Sequence, residues 1–485
     1  MEKSKSSIKK NFIYQMMYEV LILLLPLITS PYIARVIGAE GLGTYSFSSS
    51  VAYYFVLFSM LGIKNYGNRT IAQCKHNQEQ LNQTFSDILT IHILFSAVIT
   101  VIYLLYIQFF ASSKLYAALQ IPYVLSGLFD ISWLYFGLEK FKLTVTRSTL
   151  IKILNVTCVF TLVKGIDDLW KYCLIMSLCT LLSQVTLWIP LYKYVKILKF
   201  DKSSIRIHIK PMLVLFIPAI AISLYTYMDK IMVGSMNTKT ELGYYENSEK
   251  IISIPMSIIG AFGDVMLPKM SSLVATDSKK TTLTYISTSM TMVLCLAFGL
   301  EWGIAGISVV FPNVFWGSAF SACTKLLFAL SVTIPFIAFA NVIRTQYLIP
   351  RMKDKEYLIS IISGAASNVV INLLLISKIG AMGAVIGTVV TEILVCLIQC
   401  FAVRKELPLR IYIKNSWMFF FFGLVMFVIV YAVGHFMGFH VITLVVQVLS
   451  GVLVYGLISG AYFVKIKNQI IIGILNKGKS LLRKR

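Results

Sequence analysis

Charged residues are scarce in this sequence. They make up 13% of the 485 residues, whereas apolar side chains make up 57%, and a soluble globular domain carries about one-quarter charged residues. This balance excludes water as the main solvent of the folded chain. Apolar runs long enough to cross a hydrocarbon core of about 30 Å recur from one end to the other, which predicts a polytopic membrane protein.

Acidic residues are the scarcer of the two signs, with 21 Asp and Glu against 44 Lys and Arg, giving a net charge of +23. Such an excess can indicate nucleic-acid binding, but here the basic residues lie in short loops between apolar runs, as in the cluster from Lys193 to Lys210. Basic loops remain cytoplasmic, and most of these fall on the side of the N-terminus. We therefore predict a cell (inner or plasma) membrane protein with both termini cytoplasmic and no nucleic-acid partner.

Motifs for metal, nucleotide or covalent chemistry are missing. The eight cysteines show no CxxC spacing, the five histidines are scattered, and no GxxxxGK[ST] loop is present to cradle a phosphate. The sequence therefore predicts no metal site, no cofactor and no enzymatic activity. The first apolar run is followed by another without a small-residue cleavage site, so we expect no removable signal peptide.

Apolar length and the intervening polar loops predict about fourteen transmembrane helices and an all-α fold. The predicted helices lie near 11–34, 42–66, 84–110, 114–137, 144–163, 168–194, 209–235, 241–268, 283–311, 321–348, 357–377, 380–403, 412–437 and 440–465.

An internal repeat divides the chain. The segment LGTYSFS at 42–48 matches LGYYENS at 242–248, and six helices per half make the repeat parallel, related by an axis along the membrane normal. Such halves predict two six-helix bundles around a central cavity and favour a transporter over a channel. The predicted domains are a first bundle at 1–205, a second bundle at 206–408, and two further transmembrane helices with a basic cytoplasmic tail at 409–485.

Two segments carry a family resemblance. Residues 30–38 read SPYIARVIG and are followed by EGLGTYS at 40–46, while residues 380–388 read GAMGAVIGT and are followed by Thr391 and Glu392. Together they resemble the Wzx-type oligosaccharide flippases of the multidrug/oligosaccharidyl-lipid/polysaccharide exporter superfamily. The resemblance extends over nearly the whole chain.

This resemblance implies a protein that moves an oligosaccharide on a polyprenyl diphosphate from the cytoplasmic to the outer leaflet by alternating access, for capsule, O-antigen or wall-polysaccharide synthesis. The implied partners are the lipid-linked oligosaccharide, membrane lipid, and a polysaccharide polymerase with its chain-length machinery. Two other branches of the superfamily stay open: a drug/cation antiporter and a peptidoglycan-precursor flippase. A membrane polysaccharide polymerase fits less well, because it needs a large outer loop and every predicted outer loop is short.

Ionisable residues within membrane helices are costly and usually face a cavity or a partner. In the eighth predicted helix, Glu246, Glu249 and Lys250 begin a polar stripe at spacings of three and four. The alternative interpretation is an intrahelical ion pair between Glu246 and Lys250. Asp229 and Lys230 are adjacent, so they need separate partners.

The anionic diphosphate implied by the resemblance calls for cations, and tyrosines can stack on sugar rings. The alternatives are snorkelling of helix-end arginines and an interfacial aromatic belt. The substrate-binding candidates are Arg35, Lys230, Lys250, Glu246, Glu249, Asp229, Arg344, Tyr225 and Tyr227.

Further candidates concern energy coupling and movement. The ion-coupling candidates are Glu19, Asp264, Glu301 and Glu392. Pro26 and Pro218 occupy roughly equivalent places in the two halves and are predicted hinges, because proline removes a helical hydrogen bond. The series Gly380, Gly383 and Gly387 predicts close helix packing rather than a ligand site.

Overall fold

The chain folds as α-helices joined by short connections. A computed structural model describes the backbone of residues 2–198, 202–275 and 279–465, and the side chains of 25–198, 207–224, 226–274 and 281–465. No strand occurs in these ranges. The prediction of an all-α polytopic protein is confirmed.

The chain divides into two compact units, Met1–Glu246 and Asn247–Arg485. Among the residues that the structure describes, the first unit contains ten α-helices and the beginning of an eleventh. They are α1 (Glu2–Met60), α2 (Ile63–Cys74), α3 (Gln78–Phe109), α4 (Lys114–Ala118), α5 (Ile121–Leu128), α6 (Ser132–Gly137), α7 (Phe141–Leu162), α8 (Leu169–Val185), α9 (Lys202–Thr226), α10 (Met228–Met236) and α11 (Lys239–Ala275).

The second unit contains the rest of α11 and the helices that follow it. They are α12 (Lys279–Ile307), α13 (Val310–Phe315), α14 (Cys323–Ser331), α15 (Thr333–Ile343), α16 (Asp354–Ile379), α17 (Ala381–Val403), α18 (Leu409–Met437) and α19 (Val441–Lys465). Within this unit α12 packs against α15 and α18, α16 against α17, and α18 against α19. The predicted domain boundaries after residues 205 and 408 concern the repeat and stay a prediction.

The described residues include twelve helical segments that are long and apolar enough to cross a membrane. The predicted number is about fourteen, and the difference has two causes. The segment Leu25–Cys74 counts as one, although it is kinked at Gly38, where the sequence predicts separate helices at 11–34 and 42–66. The helix predicted at 168–194 is α8, which has only 17 residues and is not among the twelve.

The change of direction in α1 occurs at Gly38, which has φ 69° and ψ −179° inside an otherwise helical run. This positive φ costs glycine little and most other residues much. The helix before Gly38 contains Pro26 and Pro31. A break at Gly38 accounts for the gap that the sequence predicts between residues 34 and 42.

The α16–α17 hairpin is closed by glycines. Gly380, with φ 58°, lies between the two helices. A Cβ on Gly383 would lie 2.7 Å from the Ile376 nitrogen, and one on Gly387 would lie 2.2 Å from Asn372 Oδ1. The prediction of close helix packing is confirmed for Gly383 and Gly387, whereas Gly380 forms the turn between the helices.

A small polar network joins the turn before α16 to the connection between α17 and α18. Lys353 Nζ and the Tyr347 hydroxyl both donate to the Glu406 carboxylate. These two donors, with Lys353 contributing most, lower the pKa of Glu406. A carboxyl whose folded pKa is depressed contributes stability above its unfolded pKa, about 4.3, and that stability is lost as the pH falls through the folded value.

Glu406→Gln is therefore expected to lower the free energy of unfolding at pH 7 by less than about 1 kcal/mol, because the pair is partly exposed and solvent screens it. Below the folded pKa the variant and the parent protein should unfold alike. Thermal unfolding of the purified proteins at neutral and acid pH checks this. An equal difference at both pH values would contradict it.

Candidate functional site

Two glycines bring the second half of α1 and the beginning of α11 into backbone contact. A Cβ on Gly43 would lie 1.6 Å from the Lys239 carbonyl oxygen, and one on Gly243 would lie 1.9 Å from the Ala39 carbonyl oxygen. Gly43 and Gly243 occupy matching places in the repeat, and so do Ala39 and Lys239. The two copies of the repeated segment thus cross each other symmetrically within the first unit.

An ion pair lies one helical turn beyond this crossing. Lys230 Nζ on α10 is 2.9 Å from Glu246 Oε2, and the two side chains are 13% and 12% exposed. The Ser46 hydroxyl on α1 donates to the same carboxylate oxygen at 2.8 Å. Ser46 and Glu246 are the matching residues of the repeat, so the close glycine crossing lets the serine of one copy contact the carboxylate of the other.

Asp229 and Lys230 contact different residues, as their adjacency on a helix requires. The Tyr245 hydroxyl donates to Asp229 Oδ2 at 2.9 Å, and Asp229 is only 1% exposed. The Asp229 carboxylate is thus held inside the unit, whereas the Lys230 side chain, at 13% exposed, is mostly but not fully buried.

Aromatic rings lie beside the ion pair. Tyr227 stacks on Tyr53 of α1 with ring centroids 3.6 Å apart and planes 13° from parallel, and Lys230 Nζ lies 5.5 Å from the Tyr227 centroid. A distance under about 6 Å lets a ring face stabilise a cation. The Tyr54 hydroxyl donates to the Ser223 carbonyl of α9 at 3.0 Å, which fixes this part of α1 to α9.

The chemistry available here is an ammonium, a carboxylate, a hydroxyl and a pair of stacked phenol rings. An ammonium with its own counter-ion can exchange that ion for a phosphate oxygen, since both are oxygen anions. Flat aromatic rings offer apolar faces to other planar or cyclic groups. Within the described ranges no group of three His, Cys, Asp or Glu side chains could hold a metal ion.

The structure brings three of the substrate-binding candidates together, namely Lys230, Glu246 and Tyr227, with Asp229 directly beside them. Tyr225 lies outside the described side chains. Arg35 is exposed on α1 before the break at Gly38.

The remaining substrate-binding candidates belong to the second unit. Glu249 and Lys250 are half-buried on α11. Arg344 begins a π-helical turn that runs to Leu348, and its guanidinium carbon lies 5.9 Å from the Tyr357 ring centroid.

The ion-coupling candidates have different surroundings. Glu392 on α17 interacts electrostatically with Arg344. Asp264 on α11 is exposed, whereas Glu301 on α12 is buried. The Glu19 side chain lies outside the described residues.

The two hinge candidates lie within helices. Pro26 is inside α1 and Pro218 inside α9. Pro26 also lines a cavity of about 400 Å³, whose wall includes Asn155 of α7 and Thr180 of α8. Their role as hinges stays a prediction.

Sequence reasoning missed Tyr53 and Tyr245 as members of the site. Tyr245 matches Tyr45 in the repeat, and this match was the available signal. Tyr53 carries no such signal, because a tyrosine on an apolar helix equally fits an interfacial belt.

Comparison with known proteins decides the family. Residues 8–274, more than half of the chain, match a family described as polysaccharide biosynthesis protein. The chain belongs to this family. A protein of Shigella dysenteriae named as an O-antigen transporter is 23% identical over 415 residues, which cover 82% of this chain and 100% of that protein. The resemblance based on residues 30–46 and 380–392 is confirmed.

Solved structures show the same fold at low identity. The lipid II flippase MurJ, in an inward closed conformation, has a TM-score of 0.73 and 16% identity, covering 94% of this chain and 99% of its own. An outward-facing multidrug-resistance transporter of the MATE family, from the MOP superfamily, has a TM-score of 0.53 and 15% identity, covering 84% and 96%. The family match and the apolar helices make the chain an integral, multi-pass membrane protein of polysaccharide biosynthesis, and the relatives and neighbours named above are transporters and not enzymes.

Proposed function

We propose that this chain is a flippase that moves an oligosaccharide linked to a polyprenyl diphosphate from the cytoplasmic to the outer leaflet by alternating access. The product would supply capsule, O-antigen or wall-polysaccharide synthesis. Family membership, the relative named as an O-antigen transporter and the fold shared with a lipid II flippase support this function. The proposed location is the plasma membrane, with both termini cytoplasmic and a polysaccharide polymerase acting on the product.

The observation that carries the proposal is the mostly buried Lys230 ammonium next to the stacked rings of Tyr53 and Tyr227. The substrate combines a diphosphate, which pairs with ammonium, and sugar rings, whose apolar faces pack on aromatic rings. Lys230 would bind a diphosphate oxygen in place of the Glu246 carboxylate. While Lys230 binds the diphosphate, the Ser46 hydroxyl would still donate a hydrogen bond to the Glu246 carboxylate.

The energy source belongs to the proposal as well. One charge moved across the membrane is worth about 2.3 kcal/mol per 100 mV, and an ion gradient, the membrane potential or consumption of the product on the far side could each drive transport. Glu392, next to Arg344, stays a candidate for the coupling group.

The experiment measures how much lipid-linked oligosaccharide lies in the outer leaflet of cells depleted of this protein. An impermeant reagent labels the outer leaflet alone. We expect the outer pool to collapse while total carrier-linked glycan accumulates. Re-expression of the parent chain should restore it.

The same depleted cells also distinguish a flippase from a drug/cation antiporter, when efflux of a cationic dye is measured beside the outer glycan pool. If the outer glycan pool is unchanged on depletion while efflux of a cationic dye is lost, the flippase proposal is wrong and the antiporter replaces it. Peptidoglycan-precursor flipping is read in parallel by labelling lipid II at the outer face.

A further inference from the structure

A second cavity, unrelated to the ion pair of the first unit, lies within the second unit. Its volume is about 510 Å³, and its wall is formed by α12, α15, α17 and α18. Six of its fifteen lining residues are aromatic: Phe298, Phe336, Phe339, Trp417, Phe420 and Phe421. No Lys, Arg or His is among the described residues that line it.

One carboxyl group lies in this apolar wall. Glu301 of α12 is 7% exposed, and its Oε2 has no hydrogen-bond partner among the residues that the structure describes. The Ser416 hydroxyl of α18 also lines the cavity, is 1% exposed, and lacks a partner within the same ranges. Buried polar groups are normally paired, and a buried carboxylate without a counter-charge costs several kcal/mol. The cavity therefore requires a positively charged partner for Glu301.

A proton or an organic cation can supply that charge, and the cavity itself favours the cation. A proton needs neither volume nor aromatic walls. A volume of about 510 Å³ falls within the range of roughly 300–1,000 Å³ of small-molecule sites. Ring faces stabilise an ammonium, most strongly where water is excluded.

The cavity also has an apolar route of entry. Leu397 and Ile413 are each 57% exposed, and Trp417 is 49% exposed. Apolar side chains on the outside of a membrane protein face lipid, so a ligand dissolved in the bilayer meets the cavity directly.

We propose that this cavity binds a lipophilic amine in its ammonium form, with Glu301 as the counter-ion and the aromatic rings around its apolar body. The ligand is opposite in charge to a diphosphate-linked glycan. The site thus serves a different molecule from the one proposed for Lys230, and neither proposal depends on the other.

The test uses the purified full-length chain in detergent and two fluorescent probes of equal length. One is N-dansyl-1,6-diaminohexane, and the other is the matching dansylamino alcohol, which lacks the charge. We expect saturable binding of the amine that is at least ~10-fold tighter than that of the alcohol, equivalent to about 1.4 kcal/mol. Glu301→Gln should abolish this preference, whereas Asp354→Asn, which removes an exposed carboxylate of the same unit, should retain it.

A second measurement needs no variant and is therefore independent of folding. The hydrophobic reagent dicyclohexylcarbodiimide should modify Glu301 in the parent chain, as read by peptide mass spectrometry, and the amine should protect it at least ~10-fold better than the alcohol. Equal binding of the two probes, or modification of Glu301 that the amine does not slow, would overturn the proposal.

Discussion

Gly43→Ala is expected to lower the free energy of unfolding by about 3 kcal/mol, because overpacking at a rigid contact costs 1–3 kcal/mol or more. The new Cβ would lie 1.6 Å from the Lys239 carbonyl oxygen, and a backbone atom cannot rotate aside as a side chain does. Gly243→Ala meets the Ala39 carbonyl oxygen at 1.9 Å and should have a similar effect.

Thermal unfolding of the purified variants measures this effect. Gly456→Ala and Gly460→Ala are matched controls on α19, because a Cβ at either position meets no atom within 4 Å. If Gly43→Ala unfolds at the temperature of these controls, the symmetric crossing of α1 and α11 is wrong. Gly43→Ala and Gly243→Ala should also lose glycan transport, because moving the two backbones apart would break the contact between Ser46 and Glu246.

Removing one member of the Lys230–Glu246 pair should have the second large effect. Both side chains are mostly buried, and removing one member of a buried ion pair costs about 3 kcal/mol. Lys230→Gln and Glu246→Gln should each destabilise the chain by about this amount. The double variant should regain most of the loss, because it removes both charges of the pair together.

Transport distinguishes a structural pair from a substrate-binding lysine. If Lys230 binds the diphosphate, the double variant regains stability but its transport stays at least ~10-fold below the parent, the equivalent of about 1.4 kcal/mol. Lys230→Arg, which keeps the charge, should retain more transport than Lys230→Gln. Lys75→Gln is the control, because the Lys75–Glu139 pair is exposed and such pairs contribute little. Full transport in the double variant would make the pair purely structural.

Composition was sufficient to predict the class of fold, because apolar length alone decides what crosses a bilayer. The repeat at 42–48 and 242–248 also pointed to the segments that form the site. It did not predict that the two copies contact each other. Glycines near helix ends are common, and neither segment by itself indicates how close two helices approach.

The partner of Glu246 shows where periodicity fails. A spacing of four favours Lys250 as a partner on the same helix, but the ion pair at 2.9 Å joins Glu246 to Lys230 on α10. That contact depends on the break between Thr226 and Met228, which separates α9 from α10. By hydropathy, α9 and α10 form one apolar run. The sequence therefore did not predict the turn that places Lys230 next to Glu246.

Translocation by the purified chain in lipid vesicles would test the flippase proposal without the rest of the cell. A fluorescent oligosaccharide on a polyprenyl diphosphate is placed in both leaflets, an ion gradient and a membrane potential are imposed, and an impermeant reducing agent bleaches the label that reaches the outer leaflet. The account predicts that the parent chain exposes label from the inner leaflet, whereas Lys230→Gln and empty vesicles leave it protected. Protection that is equal in vesicles with the parent chain and in empty vesicles would contradict the account.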